Sequence, residues 1–343
     1  MKKIFLSVIL LTVSVLPAIC CTSVIVTAAK SGIGRPVMLK HRDTGVPDSK
    51  IEMFHGEHYD IIGLVNSSWR SSPIAKNTGG VPEVWCGMNS AGFCIMDTAS
   101  YNIKDDDVPA SCMDREGVVM YRALEICATV KDFEAFIDTL SRPMGIEGNF
   151  GVIDASGGAA YYEINNSKSV KYDVNANPSG YMVVTNFSFS GRVKDRRGVD
   201  RYEKASLIFS GMDVFDHKSI INKISRSDSP ILRKITTSST VFEGAAAGKE
   251  AVMWTCLGSP DSVPYIPLVF SEPLPSYMTA AENGNAPICD LAKKAKASGA
   301  DLRKVLSDVE RIVDSRFPAG YACIRKCAYL KYRTEVEKLA KND

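Results

Sequence analysis

"AICCTSVIV", residues 18–26, sets two cysteines side by side where an apolar leader gives way to a β-branched run. Upstream, Met1 is followed by Lys2 and Lys3, by an apolar run over 4–15, and by Pro17 and Ala18, the layout of a secretory signal peptide. The run is shorter than the roughly 20 apolar residues a permanent membrane helix needs. Small residues one and three positions before the cut place cleavage after Cys20, with Ala18 at the other small position. The expected division is therefore a leader over 1–20 and a single mature domain over 21–343 that opens on Cys21. A lipid-anchored cysteine would need a small residue immediately before it, but Ile19 precedes Cys20 and Cys20 precedes Cys21.

The chain has 343 residues, 45% of them hydrophobic, which is ample for one large domain. Its net charge of +2 and the absence of a basic run give no electrostatic case for nucleic acid or an anionic membrane surface. With no second long apolar segment, stable membrane insertion is not expected and the mature chain reads as periplasmic or secreted. Export permits disulfides among the ten cysteines, and one or two involving Cys86, Cys112 or Cys289 fit that compartment. No Cys-x-x-Cys and no histidine cluster is present, so neither a metal nor a cofactor is expected. Composition is compatible with a monomer or a homo-oligomer.

Working outward from Cys21, β-branched runs at 22–28 and 36–42 flank the turn sequence "KSGIGRP", a hairpin pattern. Further strands are expected at 59–65, 83–88, 93–97, 150–153, 160–164 and 181–185, with Asn/Gly turns between several of them. Helical spacing is expected at 115–130, 132–140, 201–209, 218–225, 302–313 and 322–339. Strands and helices come in blocks, which favours α+β layers of antiparallel sheet over a parallel doubly wound fold. The Pro-, Gly- and Asn-rich stretch 271–287 reads as a loop or lid, and pocket walls are expected from 100–109 and 271–285.

A cysteine at a mature N-terminus carries nucleophile and base on one residue. The α-amine, with an ordinary pKa of about 7.7–8.0, is partly neutral near pH 7 and takes the thiol proton without a partner histidine. The four histidines, His41, His55, His58 and His217, form no Cys/His signature.

At this point the sequence resembles the N-terminal-nucleophile linear amide C-N hydrolases. These include choloylglycine (bile salt) hydrolase, penicillin V acylase and the carcinine hydrolase/isopenicillin N acyltransferase (peptidase C45-like) branch. The likeness runs in order through "CTSVIV" at Cys21, "PVMLKHRDTG" with Asp43, "WCGMNSAGFCIMDTAS" with Asp97, "YMVVTNFSFSG" with Asn186, "GVDRYEKA" with Arg201, and "AVMWTCLGSPDSVPYIPL". It implies a four-layer αββα sandwich of two antiparallel sheets flanked by helices. It also implies Cys21 as nucleophile, Asp43 holding the amine, Asn186 and the Asp97 backbone steadying the oxyanion, and Arg201 favouring the thiolate. Two departures stand out. Lys40 occupies the place of the family's arginine, with Arg42 adjacent, so both are candidate substrate-binding cations, and Asp97 replaces an asparagine. Asn66, Asn165 and Asn186 also fall in glycosylation sequons.

The activity so implied is cleavage of a small-molecule, non-peptide amide, an N-acyl amine or N-acyl amino acid, through a thioester. The alternatives are a bile salt hydrolase or penicillin V acylase, an acyltransferase of the same fold, or a catalytically inactive periplasmic binding protein. Trp85 and Trp254 are expected as core or pocket wall.

Overall fold

The computed structural model describes residues 20–104, 107–279, 284–314 and 321–339. The leader expected over 1–20 lies outside them except for Cys20, which already belongs to the first strand.

Among the described residues thirteen strands form two sheets: β1 (Cys20–Val26), β2 (Val37–Asp43), β3 (Ser49–His55), β4 (Asp60–Asn66), β5 (Cys86–Asn89), β6 (Cys94–Ala99), β7 (Gly148–Ile153), β8 (Ala159–Ile164), β9 (Ser169–Asp173), β10 (Tyr181–Val184), β11 (Thr236–Glu243), β12 (Val252–Cys256) and β13 (Ile266–Leu268). The six-stranded sheet runs β10-β1-β2-β11-β12-β13 and the seven-stranded sheet β3-β4-β5-β6-β7-β8-β9. Every pairing is antiparallel. β1 packs against β6 and β8, and β2 against β7, so the sheets lie face to face.

Helices cover both outer faces. Glu116–Ile126 packs on β4, β5 and β6, with Val130–Thr139 beside it, enclosing a core that includes Phe93, Phe133, Phe150 and Tyr162. Val199–Ser210, the turn of helix His217–Ile220 and Arg303–Asp314 pack on the six-stranded sheet. Pro287–Ala297 and Tyr321–Leu339 complete that layer. The architecture is the four-layer αββα sandwich the sequence implies.

Strand alternation decides which side of β1 and β2 meets which layer. Tyr161 on β8 donates to Ser23 Oγ at 3.1 Å, and Lys40 bonds Asp97 on β6. Cys21, Ser23, Lys40 and Arg42 therefore face the gap between the sheets. Thr22, His41 and Asp43 face the helices.

Three expectations need correction. The nine cysteines whose side chains are described are all free thiols, Cys86, Cys112 and Cys289 included, because Cys86 and Cys289 are packed in the core and bonded to none of the others. Helix 115–130 ends at Ile126, and the next starts at Val130 with Thr129 and Asp132 forming a capping box. Strands β3, β9 and β11 and the helix Pro287–Ala297 were not anticipated.

Candidate active site

β1 begins at the mouth of a cavity of about 530 Å³ between the sheets, lined by Cys21, Lys40, Arg42, Asn66, Trp85 and Asp97 among others. Residue 20 precedes Cys21 in the same strand, so the Cys21 nitrogen here is a peptide N–H. It donates to Asn186 Oδ1 at 2.6 Å. Arg201 holds the same small frame from behind. Its Nη2 donates to Asn186 Oδ1 at 2.7 Å, and its Nη1 donates to Thr22 Oγ1 at 3.1 Å and to the Cys21 carbonyl. Asn186 Nδ2 donates to the Ala99 carbonyl at 2.8 Å. Because Arg201 can only donate and Ala99 O only accept, the orientation of the Asn186 amide is fixed by its partners. Asn186 is fully buried, so its sequon is inaccessible in the folded chain.

Burial pushes the Cys21 thiol above its ordinary pKa. The Lys40 ammonium pulls against that, while the charges of Asp97 and Asp43 add to the rise and the Asp43 backbone N–H opposes it. Lys40 Nζ in turn donates to Asp97 Oδ1 at 2.9 Å and to the Asp97 carbonyl. Burial opposes the Lys40 charge, but Asp97 and Cys21 outweigh it and hold the ammonium above its ordinary range. Arg201, expected to favour the thiolate, is bonded to the Cys21 carbonyl, Thr22 and Asn186, and the cation that most lowers the Cys21 thiol is Lys40.

Asp43 lies on the opposite face of β2 from Arg42 and is 1% exposed, so the two do not form a surface pair. Thr236 on β11 donates to Asp43 Oδ1 at 2.6 Å, and Arg233 Nη1 lies 3.4 Å from Oδ2. Burial raises the Asp43 carboxyl to about 6 against the lowering pull of Thr236, Arg233 and Arg201. The described contacts join Asp43 to the floor behind Cys21 without a direct bond from its carboxylate to the Cys21 nitrogen.

Of the loops expected to wall the pocket, Ser100, Tyr101 and Lys104 line this cavity, whereas the described part of 271–285 does not. That second stretch instead packs toward the last helix, where Tyr277 stacks on Tyr329 at 4.1 Å. The unanticipated lining residues include Glu116 at the start of its helix, whose Oε1 accepts from the Glu147 N–H at 2.9 Å. Charged residues at 40 and 42 alternate inside a strand that is buried along its whole length, which marks one face of it as a polar cavity wall. Trp85 is pocket wall, as expected. Trp254 lies outside this site, stacked on His217 at 4.0 Å beside a separate cavity of about 380 Å³.

Gly198 precedes the Arg201 helix with φ of +77°, and a Cβ there would overlap the Arg201 guanidinium. Gly198→Ala is expected to cost roughly 1–3 kcal/mol in denaturant unfolding, from the left-handed backbone and from displacement of Arg201 together. Gly211→Ala, at the other end of that helix, where no atom lies closer than 3.8 Å to the added methyl, is the control and should change stability little.

Among the described residues no group of three or more His, Cys, Asp or Glu is placed to hold a metal ion. No described helix is long and apolar enough to cross a membrane.

Among solved structures, the chain is similar to a Caenorhabditis elegans N-acylethanolamine-hydrolyzing acid amidase ortholog at 18% identity and TM-score 0.49, over 65% of this chain and 92% of that one. It is similar to penicillin V acylase from Agrobacterium tumefaciens at 15% identity and TM-score 0.45, over 74% and 87%. A variant of conjugated bile acid hydrolase from Clostridium perfringens gives 11% identity and TM-score 0.46, over 74% and 94%. No family model matches the sequence, and no curated protein matches it.

Proposed function

We propose that this chain is an exported N-terminal-cysteine amidohydrolase that cleaves a small, non-peptide linear amide through a thioester on Cys21. The observation that carries the reading is the thiol of Cys21 on the wall of the inter-sheet cavity, beside the Lys40 ammonium and with its nitrogen held by Asn186. In this reading the leader, residues 1–20, is removed and the mature single domain runs from 21 to 343 in the periplasm or outside the cell.

Removal of residue 20 turns the Cys21 peptide nitrogen into an α-amine. The amine takes the thiol proton as sulfur adds to the amide carbon, and the carbonyl π electrons move to oxygen. The oxyanion forms next to the Lys40 ammonium, in a cavity where such charge is worth more than in water. Collapse breaks the C–N bond, the leaving amine takes the proton from the α-ammonium, and a thioester remains. Water, deprotonated by the same amine, then releases the acid and restores the thiol. Asn186 and Arg201 fix the position of Cys21, Asp43 supplies negative charge behind it, and Asp97 fixes Lys40.

The test is intact mass of the exported protein, followed by acid quenching during turnover of an N-acyl amide. A chain that begins at Cys21 and gains one acyl mass supports the proposal. A chain that begins at Thr22 or later, or that carries lipid on the cysteine, removes it.

The Asp43 carboxyl, raised from 3.8 to about 6, gives a pH prediction with two opposite signs. Above its ordinary value, the folded state binds the proton more tightly than the unfolded chain. Stability therefore rises as pH falls from about 6 toward 3.8, by up to roughly 3 kcal/mol. Activity that depends on the charged carboxylate falls over the same interval. Asp43→Asn should remove both limbs, which urea melts and kcat/KM profiles between pH 4 and 8 will reveal.

A further inference from the structure

Arg42 is a buried cation with no anion beside it among the described residues. It stands on β2 directly across from Cys21, is 5% exposed and lines the same cavity. Its guanidinium donates to two neutral oxygens, Ser49 Oγ at 3.3 Å and Asn66 Oδ1 at 2.9 Å, and lies 5.2 Å from the centre of the Trp85 ring. Among the described residues no carboxylate oxygen lies within 4.0 Å of it. Lys40, two positions earlier on the same face, has Asp97 at 2.9 Å. Among the described residues the two neighbouring cations therefore differ in kind: Lys40 is paired with a carboxylate, and Arg42 holds only neutral oxygens and a ring face. An unpaired buried charge is strongly unfavourable, and burial accordingly weakens the hold of Arg42 on its proton.

The Arg42 guanidinium lies over the face of the Trp85 ring, and Trp85 and Asn66 both line the cavity. A guanidinium fork matches a planar two-oxygen anion.

We propose that Arg42 is a carboxylate-binding subsite, and that the substrate is an amide carrying a carboxylate close to the bond that is cut. This rests on Cys21 being the nucleophile. Residues opposed across an antiparallel pair have Cβ atoms about 4.5–5.5 Å apart, so an anion on Arg42 sits only a few bonds from a carbonyl at the Cys21 sulfur. Two kinds of molecule meet that description. In an N-acyl α-amino acid the carboxylate leaves with the amine, whereas in a short carboxyacyl amide it stays on the thioester. Glu116, which shares the cavity, does not repel such an anion at neutral pH, because burial and the negative charges of Asp97 and Asp114 push its carboxyl up to about 8.

Iodoacetate and iodoacetamide are near-isosteric alkylators that differ by one charge, and the exposed thiols Cys323 and Cys327 supply an internal reference in the same molecule. Peptide mapping of the mature protein should give an iodoacetate-to-iodoacetamide rate ratio at Cys21 about tenfold or more above that at Cys323. Arg42→Gln should bring the ratio down to the reference, and Arg42→Lys, a point charge without the fork, should keep part of it. Equal ratios at Cys21 and Cys323 in the wild type, or a ratio that survives Arg42→Gln, overturn the subsite and leave the nucleophile standing. Cys21 alkylated by neither reagent removes the nucleophile, and the subsite falls with it. If Arg42→Gln does not fold, the wild-type ratio and the lysine variant still decide. Turnover of an N-acylglycine against its glycinamide, and of a succinyl amide against its succinamide counterpart, then assigns the side. A preference for the carboxylate in either pair supports the proposal, and equal rates in both pairs overturn it.

Discussion

Cys21→Ala is expected to lower amide turnover by a factor on the order of 10⁴ or more, since in the proposed mechanism the thiol forms the covalent bond and what remains without it is binding alone. The fold should tolerate the change. Sulfur is lost from one edge of the cavity, while the bonds that fix the residue, from its nitrogen to Asn186 and from Arg201 to its carbonyl, involve only the backbone. Circular dichroism should be unchanged and the melting temperature should move by only a few degrees. The other cysteines provide the contrast. Burial pushes the Cys86 thiol up to about 11 and those of Cys127 and Cys289 to about 12, so they stay protonated at neutral pH. Cys323 and Cys327 are exposed and far along the last helix, so they alkylate readily without taking part in turnover. Cys323→Ser with full activity beside Cys21→Ala with none would assign the reaction to one thiol. Activity surviving in Cys21→Ala would reject it.

The strands that meet Cys21 were legible because β1 and the first half of β2 are mostly β-branched or apolar and are joined by a Gly-rich turn. β11 escaped the same reading although all eight of its residues are buried. Its "TTSST" start is hydroxyl-rich, and those hydroxyls are accommodated by partners remote in sequence: Thr236 on Asp43, Ser239 on Ser225 and Thr240 on Thr255. A polar strand in a central position is therefore invisible to hydropathy alone. β3 and β9 were missed for the opposite reason. They form the two edges of the seven-stranded sheet, and β9, with its burial alternating along "SVKYD", has too few apolar residues to stand out. The helix Pro287–Ala297 carries a start signal in Pro287 and lysines near its end, but it has no side-chain N-cap and its first residue continues the Pro- and Gly-rich stretch before it.

The candidate site divides in the same way. Cys21 could be singled out from the chemistry of a mature N-terminus, whereas Asp43, Asn186 and Arg201 entered only through ordered resemblance. The contact between Arg201 and Cys21 spans 180 residues and that between Lys40 and Asp97 spans 57, separations that no local pattern encodes. Asn66 and Trp85 acquire meaning only beside Arg42, once β4 and β5 are seen to bring them there.

Asn186→Ala should lose about 10²–10³ in turnover and roughly 2–4 kcal/mol in stability, because it strands three buried polar groups at once: the Cys21 nitrogen, an Arg201 N–H and the Ala99 carbonyl. Asn186→Asp separates the two ways in which this side chain can act. A carboxylate keeps the oxygen that faces Cys21 and Arg201 but replaces the donor to Ala99 with an acceptor. If the amide works through Nδ2 on the oxyanion, the aspartate variant falls as far as the alanine one. The proposed mechanism gives it the other role: one Nδ2 hydrogen is bonded to the Ala99 carbonyl at 2.8 Å, and Oδ1 lies 2.6 Å from the Cys21 nitrogen, the base in that mechanism. The aspartate variant is then expected to keep turnover within about tenfold of the wild type at its own optimum. That optimum should also move to higher pH. A negative charge beside the α-amine favours its protonated form, and only the neutral amine can accept the thiol proton. A kcat profile from pH 5 to 10 reads both quantities together. A deep loss with no alkaline displacement would place Asn186 on the oxyanion, and a shallow loss with the displacement would place it on the amine.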